Sequence, residues 1–199
     1  MEKILITGTS SGIGLHLTKF FLEKNYQVYG ISRSLPEINN KNYEHFYMDL
    51  SNLSNLEDNK KLLEDLDINA FIHNAGMIGE LKDFGECNLK IWQEAFNVNL
   101  LSGVYILNNT IKSLVNKKGC VIFMAGGGST TSLKKWSAYS TSKTGLVRFI
   151  ENIADEYENI LRAYAISPGV NKTKIMEEAI KQGYIYDQSK IVSSDLSCE

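Results

Sequence analysis

The sequence has few of the residues from which disulfide scaffolds and metal centres are built. Only three cysteines occur in 199 residues, Cys87, Cys120 and Cys198, far apart and with no CxxC pair. That usage excludes a disulfide framework and fits reduced thiols in a cytoplasmic protein. The three histidines, His16, His45 and His73, are equally scattered, so spacing offers no metal site. No run reaches the ~20 apolar residues of a membrane span. The apolar start of MEKILITGTSSGIG meets glycines rather than a cleavage site, and reads as a strand, not a signal. A net charge of -2 with both signs interspersed gives no electrostatic footprint for nucleic acid or anionic lipid.

What is present is an alternation. The runs KILIT, QVYGIS, EHFYM, NAFIHN, CVIFM and RAYAIS are short and apolar, and amphipathic stretches such as GLHLTKFFLEKN and SNLSNLEDNKKLLEDL separate them. Six strands with intervening helices imply βαβ units and a parallel sheet, with strands buried on both faces reading as continuously apolar. Long helices are predicted over Asn88–Asn116 and Trp136–Tyr157, and a shorter one in TKIMEEAIKQG, ended by Gly183. Ser54 and Glu57 have capping-box spacing. SLPEINNKNYE reads as a surface loop. The whole of 1–199 is most economically one domain, able to bury roughly 70% of its unfolded surface. Residues 174–199 begin with that helix and continue as a tail without clear periodicity, loose as termini often are.

Two stretches carry chemistry. TGTSSGIG, with Gly8, Gly12 and Gly14 spaced GxxxGxG, lies between a buried strand and a helix. Glycines there let the backbone turn sharply and approach a pyrophosphate, while the helix offers free N–H groups and a positive dipole end. In AGGGSTTSLKKWSAYSTSK, Tyr139 and Lys143 are four residues apart. On a helix they share a face, where a cation could acidify a phenol.

TGTSSGIG, HNAG at 73–76, Asn99 in NVNLLSG, YSTSK and SPGVNKT at 167–173 occur in the order and approximate intervals of the short-chain dehydrogenases/reductases, which the chain resembles over essentially its whole length. The resemblance implies a Rossmann-like doubly wound α/β/α fold with strand order 3-2-1-4-5-6, and hydride transfer between nicotinamide and a small carbonyl or hydroxyl compound. It implies that Tyr139 is the acid/base, that Lys143 is its electrostatic partner and a donor to the nicotinamide ribose, and that Asn99 holds a water in the proton relay. The cofactor would lie on Gly8, Thr9, Ser10, Ser11, Gly12, Ile13 and Gly14. Asp49, followed by Leu50, would meet the adenine, and Asn74, Ala75 and Gly76 would pass beside the ribose. Pro168, Gly169, Val170 and Thr173 would border the nicotinamide, and the 174–199 region beyond, starting with Ile175 and Met176, would supply a substrate lid. Where NAD-preferring members carry an acid at the end of the second strand, this chain has Ser32 and Arg33. A guanidinium there suits a 2′-phosphate, so NADP(H) is the expected coenzyme, with NAD(H) the other candidate. The resemblance also implies a homodimer or homotetramer built on the two long helices.

Two departures stand out. The family commonly has a serine thirteen residues before the tyrosine to hold the substrate oxygen, and here that position is Gly126. Ser129 is the expected substitute, with backbone N–H groups of the glycine run as the other possibility. Family members also continue into another helix and a last strand, whereas this sequence ends at SSDLSCE. Strand six is then expected to be a bare edge, unless further chain, a partner or the tail covers it. A cofactor-binding redox sensor or scaffold with a degenerate site is the rival to an enzyme.

Overall fold

The six apolar runs pair into one parallel sheet in the order β3-β2-β1-β4-β5-β6. In this computed structural model, which describes residues 1–171, 173–185 and 191–192, the strands are β1 (Lys3–Thr7), β2 (Gln27–Ser32), β3 (Tyr43–Tyr47), β4 (Ala70–His73), β5 (Cys120–Met124) and β6 (Arg162–Ile166). Strand order reverses between β1 and β4, which pair directly with Ile4 opposite Ala70. In open sheets of this kind the crevice at the carboxyl ends beside such a reversal is where ligands bind.

Side chains alternate across the central strands. Ile4 and Ile6 of β1 join Leu22 of α1 (Gly12–Glu23) on one face. Leu5 points the other way, into a larger core with Phe71, Phe123, Ile106 and Leu146. Ile106 belongs to α5 (Ser102–Asn116) and Leu146 to α6 (Ser137–Glu156). Fully burying each of these large side chains contributes roughly 1.5–3 kcal/mol. On the α1 face, the outer strand is less covered: Tyr164 is 50% and Ile166 41% exposed. Among the described residues β6 is the edge of the sheet.

Local detail departs from expectation at three places. The stretch after β3 forms two short helices, α2 (Leu53–Asp58) and α3 (Lys60–Asp65). The first is capped by Asn52, whose side chain accepts from Ser54 N, rather than by a Ser54–Glu57 box; Asn52 has the extended backbone an N-cap needs. The predicted 88–116 helix contains a five-residue π segment, Asn97–Leu101, between α4 (Leu89–Phe96) and α5. π bulges inside helices frequently mark functional sites. Finally, Val170–Asn171 (β7) and Ile191–Val192 (β8) form a small parallel pair around α7 (Lys174–Lys181). The tail positions 172, 186–190 and 193–199, including Cys198, lie outside the described residues.

Candidate active site

A cavity of about 590 Å³ runs along the carboxyl ends of the strands, from the glycine loop to Tyr139 and Lys143. Gly8, Ser10, Ser11, Gly12 and Ile13 form one wall. Gly8 and Gly12 have φ of +75° and +56°, in the left-handed region that side chains disfavour. Gly14 does not line the cavity. A Cβ there would stand 2.2 Å from Gly8 O and 2.4 Å from Asn74 Nδ2, so its bare backbone lets α1 pack against the loop. Ser11 caps α1 with no side-chain bond to the helix, which leaves its hydroxyl to a ligand at the helix's positive end. These features fit a dinucleotide pyrophosphate.

Thr9, in contrast, faces inward. It is fully buried, and its Oγ1 lies 3.2 Å from Ser32 Oγ and 3.1 Å from Tyr43 Oη. The expectation that Thr9 contacts the coenzyme is therefore corrected: it braces the loop from behind. Asn74 ties the loop to the sheet by donating Nδ2 to Thr7 O at 3.1 Å. Ala75 and Gly76 line the cavity beside it.

At the adenosine end, Ser32, Arg33, Ser34, Asp49 and Leu50 line the wall. Asp49 Oδ1 accepts from Ser51 N at 3.0 Å and from Ser51 Oγ at 2.8 Å, an Asx turn that opens α2. A base amine would be received by its other oxygen. Arg33 is exposed at the lip.

At the other end, Tyr139 and Lys143 share a face of α6 as their spacing requires. The ammonium lies 5.8 Å from the Tyr139 ring centroid and donates to Met124 O at 2.6 Å. Lys143 is 3% exposed, and burial pulls its pKa from 10.5 to about 8, so it is mostly protonated at neutrality. Burial pushes the Tyr139 phenol above its ordinary value. The expected acidification is thus not produced by the protein's own groups: the cation is directed at a carbonyl, and desolvation dominates.

Asn99 sits in the π segment, fully buried. Its Oδ1 accepts from Met77 N at 2.8 Å, and its Nδ2 donates to Met77 O at 2.9 Å and Ser142 Oγ at 2.8 Å. Both amide protons are taken. The side chain anchors the 74–77 loop and is not among the cavity-lining residues. Ser129 is also corrected. Its hydroxyl donates to Gly126 O at 2.7 Å within a short 3-10 turn over Gly127–Ser129, and it is not among the cavity-lining residues. Gly126, Gly127 and Gly128 are, so their backbone and not the Ser129 hydroxyl faces the cavity.

His73 is buried behind this machinery. Thr7 Oγ1 accepts from Asn74 N and Ala75 N at 3.1 and 3.0 Å, so its own proton goes to His73 Nδ1 at 3.0 Å. Nε2–H is then left to donate to Val98 O at 3.1 Å and Asn99 O at 3.3 Å. Burial, followed by the Lys143 charge, lowers the imidazole to about 3. His73 is a neutral strut between β1 and the π segment.

Of the walls above Tyr139, sequence reasoning reached the α7 side through the expected lid, which starts with Ile175 and Met176, and missed Leu133 and Trp136. Leu133, Trp136, Ile175, Met176 and Tyr184 enclose that end. Trp136 packs edge-on against Tyr139 and Tyr184, with centroids 5.4 and 4.9 Å apart. Ile175 and Met176 belong to α7, whose first turn is capped by Thr173 Oγ1 accepting from Met176 N at 3.5 Å. Thr173, Pro168 and Gly169 line the same region. Val170 begins β7. At the far end of α7, Gln182 accepts from Leu81 N at 2.8 Å and donates to Gly79 O at 3.0 Å, pinning the helix across the opening. Leu133 and Trp136 lie in the loop before α6, where only the tyrosine-lysine motif beside Trp136 could have pointed to them.

A six-stranded doubly wound sheet, a glycine cradle and a buried tyrosine-lysine pair define a class of nicotinamide-dependent oxidoreductases. The profile of the short chain dehydrogenase family matches residues 2–183, and the chain belongs to that family. It is 31% identical over 186 residues to a benzil reductase ((S)-benzoin forming) of Bacillus subtilis, covering 88% of this chain and 76% of the relative. A benzil reductase ((S)-benzoin forming) of Saccharomyces cerevisiae is 30% identical over 196 residues, with 88% and 73% covered. Among solved structures, 4-hydroxyisoleucine dehydrogenase complexed with NADH superposes with a TM-score of 0.78 at 27% identity, over 92% of this chain and 79% of that one. A Saccharomyces cerevisiae short-chain dehydrogenase/reductase shares the fold at a TM-score of 0.84 and 23% identity, over 98% and 86%. The protein is an NAD(P)-dependent oxidoreductase of the type acting on CH-OH and C=O groups. Among the described residues no helix is long and apolar enough to cross a membrane.

Proposed function

We propose that the chain uses NADPH to reduce a small carbonyl compound carrying apolar, aromatic-sized substituents. The observation that carries this reading is the single cavity joining the glycine cradle, Arg33, Tyr139 and an apolar roof. A nicotinamide dinucleotide supplies the hydride. Ser11, Gly12 and the start of α1 hold its pyrophosphate, Asp49 its adenine, and Lys143 and Thr173 the nicotinamide end. Tyr139 gives a proton to the substrate oxygen, a task suited to a phenol whose burial keeps it protonated. Backbone N–H groups of Gly126–Gly128 are the donors that polarise the carbonyl in place of a serine.

Arg33 at the lip, with no carboxylate at the end of β2, supports the choice of the 2′-phosphorylated coenzyme. The names of the benzil reductases support a diketone or aryl ketone as the first substrate to try. Tyr139 and Lys143 both facing the cavity favour an enzyme over a sensor. Self-association through α4–α5 and α6 belongs to the same proposal, with sedimentation equilibrium as its check. The deciding experiment is a panel of aryl ketones and diketones assayed by loss of reduced-nicotinamide absorbance with NADPH and NADH, with Tyr139→Phe as the blank. Turnover that disappears in the blank while NADPH still binds is the expected result. Tight NADPH binding with no turnover of any carbonyl would sink the enzymatic reading.

A further inference from the structure

The Ser32 hydroxyl is the hub of a polar cluster behind the adenosine wall. Ser32 is 6% exposed, and its Oγ donates to Ser34 O at 2.8 Å. A serine hydroxyl has one proton and two acceptor sites. With that proton on Ser34, the two other neighbours must both donate: His45 Nε2 at 3.0 Å and Thr9 Oγ1 at 3.2 Å. Thr9, its proton thus assigned, accepts from Tyr43 Oη at 3.1 Å. Every donor in the cluster has one consistent direction, and the imidazole is fixed as the tautomer with hydrogen on Nε2.

Two consequences follow for coenzyme selection. Ser32 has no bonding capacity left for a ribose hydroxyl, so the expected direct contact gives way to a structural role. The bond from Ser32 Oγ to Ser34 O spans Arg33, clasping the chain where β2 ends and the guanidinium reaches the lip of the cavity. The clasp holds because both acceptor sites of the hydroxyl are filled, one of them from β3 by His45. We propose that His45 is a positioning residue for coenzyme choice, fixing through Ser32 the turn that presents Arg33 to a 2′-phosphate. The inference rests on the NADPH reading above.

The test is direct binding, by calorimetry or quenching of protein fluorescence, of NADPH and NADH to the wild type, His45→Leu and His45→Gln. NADH makes no demand on Arg33 and reports on the cradle alone. The leucine variant is expected to lower the preference for NADPH over NADH roughly ten-fold, the effect of one hydrogen bond acting on a charged contact, with NADH binding unchanged. Glutamine, whose amide can donate to Ser32, restores most of the preference. Should the leucine variant not fold, Ser32→Ala removes the hub and reads the same ratio. A wild-type preference that neither substitution alters, or equal weakening of both coenzymes, overturns the inference alone. A wild type indifferent to the 2′-phosphate overturns the coenzyme reading and the inference with it.

Discussion

The Tyr139 hydroxyl occupies the space into which a side chain at position 126 would grow: a Cβ on Gly126 would lie 2.3 Å from Tyr139 Oη. The tyrosine and the glycine are therefore matched. Writing the family's serine back into this chain is expected to displace the Tyr139 hydroxyl instead of completing the site. Gly126→Ser and Gly126→Ala are both expected to lower turnover, with NADPH binding within about two-fold of wild type and a stability loss of roughly 1–3 kcal/mol from overpacking. Steady-state kinetics and coenzyme titration check this, and a serine variant with raised turnover contradicts it.

Ser129→Ala gives the complementary result. Its hydroxyl closes the turn onto Gly126 O, so its removal is expected to cost roughly 1 kcal/mol of stability and to leave turnover within a factor of a few. A loss of ~10²-fold, the mark of a missing oxyanion donor, would show that the hydroxyl reaches the substrate after all.

Activity and stability should respond oppositely to alkali. In the proposed mechanism the Lys143 ammonium holds the nicotinamide end, so the rate is expected to be level near neutrality and to fall above about pH 8 as Lys143 loses its proton. Its pKa is lower folded than unfolded, where it is near 10.5. Between those values the unfolded chain binds more protons, and this group's contribution to stability rises with pH. Turnover and urea midpoints measured across that range are the check.

His73 makes an acid-side prediction. Its pKa is about 3 in the fold against 6.5 for the free side chain. Above pH 6.5 both states hold it neutral. As pH falls below that value the unfolded chain takes up a proton that the fold refuses, and stability drops by up to ~1.4 kcal/mol per pH unit until about pH 3. Denaturant titrations of wild type and His73→Asn between pH 7 and ~4 are expected to show a shallower slope for the variant, whatever its starting stability.

Legibility in the sequence followed physical range. The strands were visible because apolar runs such as KILIT and CVIFM must be buried, and the order followed from the resemblance to a family. TGTSSGIG and YSTSK were readable because their geometry is local: a turn before a helix, and two side chains one turn apart. The roles of Thr9 and Ser129 were misread, and the anchoring of the 74–77 loop by Asn99 was missed, because each depends on where a hydroxyl or amide points, which distant partners decide. Thr9 is held by Tyr43 and Ser32, and Asn99 by Met77 and Ser142. The Asn52 cap and the π segment were lost for a related reason, since one-residue shifts in helix phase leave the apolar pattern almost unchanged.

Gln182 grips Gly79 and Leu81 through their main chain alone. Peptide groups are common to every residue except for the N–H that proline lacks, so once Gly79 has set the turn with its φ of +74° the fastening is indifferent to which side chains stand at positions 80 and 81. Mutational drift can therefore reshape the contour beneath α7 while the same glutamine keeps it docked. The catalytic floor is fixed and the ceiling is replaceable, an arrangement open to new substrates without rebuilding the proton chemistry.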